Sequence, residues 1–208
     1  MGRYTGPKCK LCRREGEKLF LKGERCFSPV CAVDRRGTPP GMIRARRGRK
    51  LSIYGQRLRE KQKLKRIYRL REKQFRNYVE RAKRVRGAVT GEQLMLLLER
   101  RLDNIVFRAG LAESRDQARQ LVGHGHFTVN GRSMDLPSYL VNSADEILLK
   151  GNAVGKAGLK AIIESRSKHT PPTWLERVEG GVRVAELPRV DEMDKTIQTN
   201  LIVEYYSR

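Results

Sequence analysis

Arg101-Leu-Asp-Asn104-Ile-Val-Phe-Arg108-Ala-Gly-Leu-Ala-Glu-Ser114-Arg115-Asp-Gln-Ala-Arg119-Gln120-Leu-Val-Gly-His124-Gly-His126-Phe-Thr-Val-Asn130-Gly131 is the stretch from which the fold can be read. Ser114-Arg-Asp-Gln117 fits a capping box, in which a hydroxyl and a side chain three residues on satisfy free amides at a helix start. The helix it opens carries Ala118, Leu121 and Val122. A second box, Thr90-Gly-Glu-Gln93, precedes Leu94, Leu97, Leu98, Leu102, Ile105, Val106 and Ala109, whose spacings of three and four predict one earlier helix. After the helix pair, Asn130-Gly131 sits inside Phe127–Asp135, and both residues tolerate the positive φ that a two-residue hairpin turn demands. Asp145–Lys150 reads as a further strand. Arg101, Arg108, Arg115, Arg119 and Arg132 punctuate this region, and guanidinium groups suit phosphate and base stacking.

Outside that stretch the charge is lopsided. Residues 1–100 carry 30 Lys and Arg against 9 Asp and Glu, net +21, whereas residues 101–208 carry 15 against 14, net +1. Unneutralised charge of one sign opposes compaction and calls for a polyanionic partner, which points to nucleic acid rather than a solvated face. With 208 residues and 38% hydrophobic content there is room for one or two domains with modest cores. Met1–Lys10 has basic residues with no apolar run behind them, and the longest apolar stretch, Leu94–Leu98, is far too short to cross a bilayer. No signal peptide, no membrane helix and no membrane partner are expected, and a reducing cytoplasmic location follows.

All four cysteines lie in the first 31 residues, as Cys9-x2-Cys12 and Cys26-x4-Cys31. Two short-spaced pairs joined by a loop supply the four thiolates of a closed tetrahedral site, structural rather than catalytic. Lys8, Lys10, Arg13, Arg14 and Arg25 surround the pairs and are expected to favour thiolate. Zinc is the expected occupant, with an iron-sulfur cluster as the alternative.

Arg35–Lys50 contains Pro39-Pro40-Gly41 and scattered glycines and reads as an extended basic arm. From Leu51 to about Arg86, Tyr54, Leu58, Ile67, Phe75, Tyr78, Val79 and Ala82 form a broken apolar stripe, predicting two helices that meet near Tyr68–Leu70. Arg57, Arg59, Lys61, Lys63, Lys65, Arg66 and Arg69 are too closely spaced for one helix face, so several RNA backbones could be met at once, as folded RNA presents.

The 101–131 stretch closely resembles the small RNA-binding domain typical of bacterial small-subunit ribosomal protein four. The knuckle opening Met-Gly-Arg3-Tyr4, the Arg57–Lys63, Gln74–Tyr78 and Leu136–Val141 segments and the terminal Leu201–Arg208 extend the resemblance to that family over nearly the whole chain, weakest at about 150–190. It implies an α+β fold: an N-terminal metal knuckle and basic arm (1–50), a basic helical part (51–89), an inserted helix pair plus β-hairpin RNA-binding domain (90–155), and a C-terminal part (156–208) packing back on the helical domain. The implied role is a ribosome-bound primary binder of small-subunit ribosomal RNA that nucleates assembly at a multi-helix junction in the 5′ region. The implied neighbours are ribosomal proteins five and three and the messenger path, with a contribution to translational accuracy. Residue pattern and resemblance together nominate as RNA-binding Arg44, Arg46, Arg47, Arg49, Lys50, Tyr54, Arg57, Arg59, Lys61, Lys63, Lys65, Arg66, Arg69, Lys73 and Arg76 in the first half. In the second half they nominate Arg101, Asn104, Arg108, Ser114, Arg115, Arg119, Gln120, His124, His126, Asn130, Gly131 and Arg132.

Two departures from the family pattern stand out: Met42-Ile43-Arg44 replaces a common Gln-His-Gly, and Arg69 replaces a common glycine, which suggests a more continuous junction between the basic helices. In the tail, Pro171-Pro172-Thr-Trp174-Leu reads as a turn leading to a packed indole, and Arg183–Glu186 and Leu201–Tyr206 read as strands, with Tyr205 and Tyr206 suited either to RNA or to packing. Gly151–Ala157 fails as a phosphate loop, having three residues between its glycines and no hydroxyl after Lys156. His124 and His126 lack a third ligand and suit RNA phosphate better than metal. No catalytic nucleophile or paired acid and base emerges. The alternatives weighed are an RNA-modifying enzyme, which lacks room for a catalytic domain, and a zinc-knuckle nucleic-acid-binding regulator, which would want a recognition helix.

Overall fold

The structure, a computed structural model, describes residues 4–41, 51–151, 166, 169–189, 192–194 and 196–207. Along the chain the described elements are α1 (Lys8–Glu15), a 3-10 turn (Gly23–Cys26), α2 (Ala32–Arg35), α3 (Ile53–Ile67), α4 (Glu72–Lys83), α5 (Thr90–Glu99), α6 (Leu102–Arg108) and α7 (Arg115–Gly123). Strands β1 (Phe127–Val129), β2 (Arg132–Met134), β3 (Glu146–Leu149), β4 (Leu175–Val178) and β5 (Gly181–Val184) follow, and then α8 (Thr199–Tyr205). The chain forms two units, Met1–Leu94 with Asp194–Arg208, and Met95–Met193. Among the described residues no helix is long and apolar enough to cross a membrane.

In the first unit most of the apolar stripe predicted from sequence is core: Ile67, Phe75, Tyr78, Val79 and Ala82 are buried, whereas Tyr54 is exposed and Leu58 only partly buried. Leu64, outside the predicted stripe, and Ile202 of α8 are also fully buried. Complete burial of a side chain such as Leu64 or Phe75 contributes about 2 kcal/mol. Ser52 caps α3 by accepting the Gly55 amide at 3.2 Å. The two basic helices break where expected, yet Arg69 does not smooth the junction. It takes a left-handed φ of 56° itself, while the amides of Arg69 and Leu70 donate to the carbonyls of Arg66 and Lys65 at 3.2 and 3.0 Å. That is a Schellman closure with arginine in the glycine position, at a backbone cost of roughly 1 kcal/mol. The expected strand at Leu201–Tyr206 is instead helix α8, because Leu201, Ile202 and Tyr205 supply a helical face that packs along α3.

In the second unit the described strands form a five-stranded antiparallel sheet in the order β2-β1-β3-β5-β4. Its core joins Leu102, Ile105, Val106, Ala118 and Val122 from the helices to Phe127, Val129, Ile147 and Val182 from the strands, with Trp174 buried among them as the sequence suggested. The hairpin forms on Asn130 and Gly131, at φ 50° and 76°, with Val129 opposite Arg132. β5 spans Gly181–Val184, slightly earlier than the expected strand, and a Cβ at Gly181 would collide with the Ile147 carbonyl across the β3–β5 pair. Strands β4 and β5 thus belong with the RNA-binding-type helix pair, whereas the sequence suggests that the whole of 156–208 joins the helical domain. Only 194–208 falls in the first unit. The single helix expected through Leu94–Ala109 is two. Arg101 is extended (φ −67°, ψ 136°) and bridges Leu140, with Leu102 N–H donating to Tyr139 O and Val141 N–H to Arg100 O, both at 2.9 Å. That pairing satisfies the backbone groups a helix would have satisfied, so the apolar periodicity continues across the break.

Candidate nucleic-acid interface

Many of the cations nominated on α3 are already paired. Arg59 and Arg66 both reach the buried Glu15 carboxylate of α1, and Arg57 pairs with Glu204 of α8 at 2.6 Å. Lys63, 6% exposed, holds Glu17 at 2.7 Å and the Thr196 carbonyl at 2.8 Å. Lys61, 3% exposed, and Lys65 clamp Glu72 from two sides at 2.8 and 2.7 Å, and the Tyr206 hydroxyl donates to the same carboxylate at 2.7 Å. Burial alone would raise Glu72, but these three hydrogen bonds outweigh it and hold its carboxyl at about 2. Tyr206 is pushed well above the usual phenol range by burial, then by the Glu72 bond and charge. Arg69 donates to the Tyr4 carbonyl at 2.8 Å and lies over its ring. Lys73 and Arg76 are exposed, and Tyr54, Arg57, Glu72, Arg76, Glu80, Tyr205 and Tyr206 line one open cleft, in which two carboxylates stand beside the phenols and guanidinium groups. Arg44, Arg46, Arg47, Arg49 and Lys50, and the Met42-Ile43 departure, lie outside the described residues, as does most of the Gly151–Ala157 segment.

In the second unit two acidic residues organise the arginines. Glu99 accepts from Asn104 Nδ2 at 2.7 Å and from Arg108 at 2.8 and 3.1 Å. Asn104 in turn accepts from Arg115 at 2.8 Å, and the Arg115 guanidinium lies 4.6 Å from the Phe107 ring centroid. Asp103 accepts from Arg101 at 2.6 and 3.0 Å and from Arg119 at 3.5 Å. Arg101 and Asn104 are buried, at 0% and 1% exposure, so these two nominated residues are internal braces in this structure. Ser114 caps α7 by accepting the Gln117 amide at 3.4 Å, while the Gln117 side chain accepts from the Glu113 amide, one residue off the expected box. Gln120, His124, Asn130, Gly131 and Arg132 are exposed, and the His124 and His126 rings meet edge to face at 6.0 Å. Asn130 also braces the turn, donating to Asp145 at 2.8 Å and accepting from the Glu146 amide at 2.9 Å. Sequence reasoning does not single out Glu72, Glu99 or Asp103. Carboxylates interleaved with cations are the available signal, but balanced charge reads equally well as a solvated face.

The knuckle holds four free thiols, with Cys12, Cys26 and Cys31 buried and Cys9 partly so. The Lys22 amide donates to Cys26 Sγ at 3.3 Å, and the Leu19 amide bonds Cys12, the sulfur contacts that suit thiolates. Burial raises the Cys12 thiol, and the neighbouring Cys26, Cys9 and Cys31 raise it further, against the pull expected from the surrounding cations. The donor set therefore fits a thiophilic ion in kind. Among the described residues no group of three or more His, Cys, Asp or Glu side chains is arranged to hold a metal ion.

Residues 3–99 match the model of the ribosomal protein S4/S9 N-terminal domain, and residues 100–147 match the S4 domain. Over 100% of both chains, the sequence is 53% identical to small ribosomal subunit protein uS4 of Pelotomaculum thermopropionicum, and 52% identical to that of Desulfitobacterium hafniense strain DCB-2. The chain belongs to the uS4 family. The uS4 N-terminal match covers the knuckle and the basic helices, and the S4-domain match covers α6, α7, the hairpin and the start of β3. The uS4 S4-domain match stops at residue 147, before β4 and β5, which extend the same sheet.

Proposed function

We propose that this chain is a structural component of the small ribosomal subunit that binds its ribosomal RNA in the cytoplasm and nucleates assembly at a helix junction, alongside ribosomal proteins five and three near the messenger path. The observation that carries this reading is the set of partly exposed arginines on α6 and α7, with Arg108 held by Glu99, Arg115 by Asn104 and Arg119 by Asp103. Cations braced in this way suit a folded RNA recognised by shape, since their geometry is set before RNA arrives. The basic first half supplies the sequence-independent attraction. Phosphate binding there is assigned to the Arg44–Lys50 arm and to exposed cations such as Lys73 and Arg76. We assign Cys9, Cys12, Cys26 and Cys31 to a structural zinc ion, whose role is to tie the knuckle together. The test is RNA affinity as a function of salt: Lys73→Gln and Arg76→Gln each remove one cation from the phosphates and should each flatten the slope of log K against log salt by about 0.9. An unchanged slope would make those charges solvated decoration.

A further inference from the structure

Phe20 lies between two buried leucines, Leu19 and Leu21, at 3% and 4% exposure, and is itself 41% exposed. Its φ is 49°, a left-handed conformation that glycine or asparagine would hold at less strain. The strained residue turns its ring outward onto Phe27, with centroids 4.9 Å apart and planes inclined by 29°. Phe27 is 73% exposed, so the stack has one face open to solvent. In the isolated chain an outward phenyl ring held by a strained backbone gains little, and such strain concentrates where a partner repays it. The neighbouring charges indicate which partner. Lys18 is paired with Asp34 at 2.7 Å, but the side chains of Lys22 and Arg25 have no acidic partner among the described residues, with Glu24 the acid between them.

We propose that the Phe20–Phe27 stack is a platform for one unpaired base of the ribosomal RNA, with Lys22 and Arg25 meeting the flanking phosphates. This rests on the ribosomal RNA reading above and adds to it a stacking site that is separate from the charged helices. Aromatic faces accept any base, and truncating one such ring weakens binding on the order of 5- to 100-fold.

The test uses the full chain and an RNA transcript of the 5′ region of the small-subunit ribosomal RNA. Phe27→Leu keeps apolar bulk and removes the π-face, so affinity should fall on the order of 5- to 100-fold with the salt slope unchanged, because every cation that meets phosphate is retained. Phe27→Trp keeps the π-face and should bind like the parent, with its added emission quenched by the RNA; Trp174, 4% exposed, supplies a constant background. Parent-like affinity for Phe27→Leu together with unquenched emission from Phe27→Trp would overturn the proposal. So would full RNA affinity with impaired retention in reconstituted subunits, which would assign the platform to a protein neighbour. Failure of the parent chain to bind this RNA would instead defeat the ribosomal RNA reading itself.

Discussion

Replacing Glu72 with glutamine should convert a pH-dependent clamp into a pH-independent one. Glu72 gathers Lys61, Lys65 and Tyr206, tying α3, the start of α4 and the C-terminal segment to one carboxylate. A carboxyl drawn from an ordinary 4.5 to about 2 corresponds to at most about 3.5 kcal/mol, at about 1.4 kcal/mol per tenfold. The side chain is 48% exposed, so solvent screening reduces this to about 1–2 kcal/mol. Because the folded value is depressed, the stabilisation is fully present above about pH 4.5 and is lost as the pH falls through about 2. Urea unfolding of the parent and of Glu72→Gln across pH 2–7 should give a gap of about 1–2 kcal/mol near neutrality that closes between pH 5 and 2. The difference between the two proteins cancels the titration of the other carboxylates. A gap constant over that range would refute the clamp.

Gently purified protein should contain one zinc per chain by elemental analysis, and Cys12→Ser should abolish zinc binding and loosen the knuckle while the second unit stays folded; iron with labile sulfide would replace zinc with a cluster, and absence of metal would remove the site. Arg101→Met should destabilise the second unit by about 3–5 kcal/mol in chemical unfolding, since Asp103 would be left largely uncompensated in the interior, whereas an RNA-contacting Arg101 would cost affinity and leave stability intact. Gly131→Val should lower preference for junction RNA over plain duplex in a competition at matched salt: no atom lies within 4 Å of the new Cβ, so the damage comes from forcing a β-branched residue to φ 76°, and retained preference would reduce the hairpin to scaffold.

The sequence disclosed what local chemistry decides. The break near Tyr68–Leu70, the cap at Ser114 and the Asn130-Gly131 turn each follow from neighbours along the chain, and the burial of Trp174 from the apolar area of its indole. What it hid depends on partners distant in sequence. Arg101 reads as a surface cation until Leu140, some forty residues on, draws its backbone into a bridge and Asp103 holds its side chain inside. Leu201–Tyr206 is rich in β-branched and aromatic residues and becomes a helix because α3 offers a surface for one. Lys61 and Lys63 look like RNA ligands in a basic run, but glutamates from other elements capture them. For that reason α3 contributes fewer available cations than its composition promises.

The most direct measurement is sedimentation of the full chain with purified small ribosomal subunits and with their isolated ribosomal RNA at increasing salt. The chain should stay with both through salt that strips nonspecifically bound cationic protein, because braced arginines and stacked bases add to charge alone. Release at the same salt as an unrelated protein of equal net charge would contradict it.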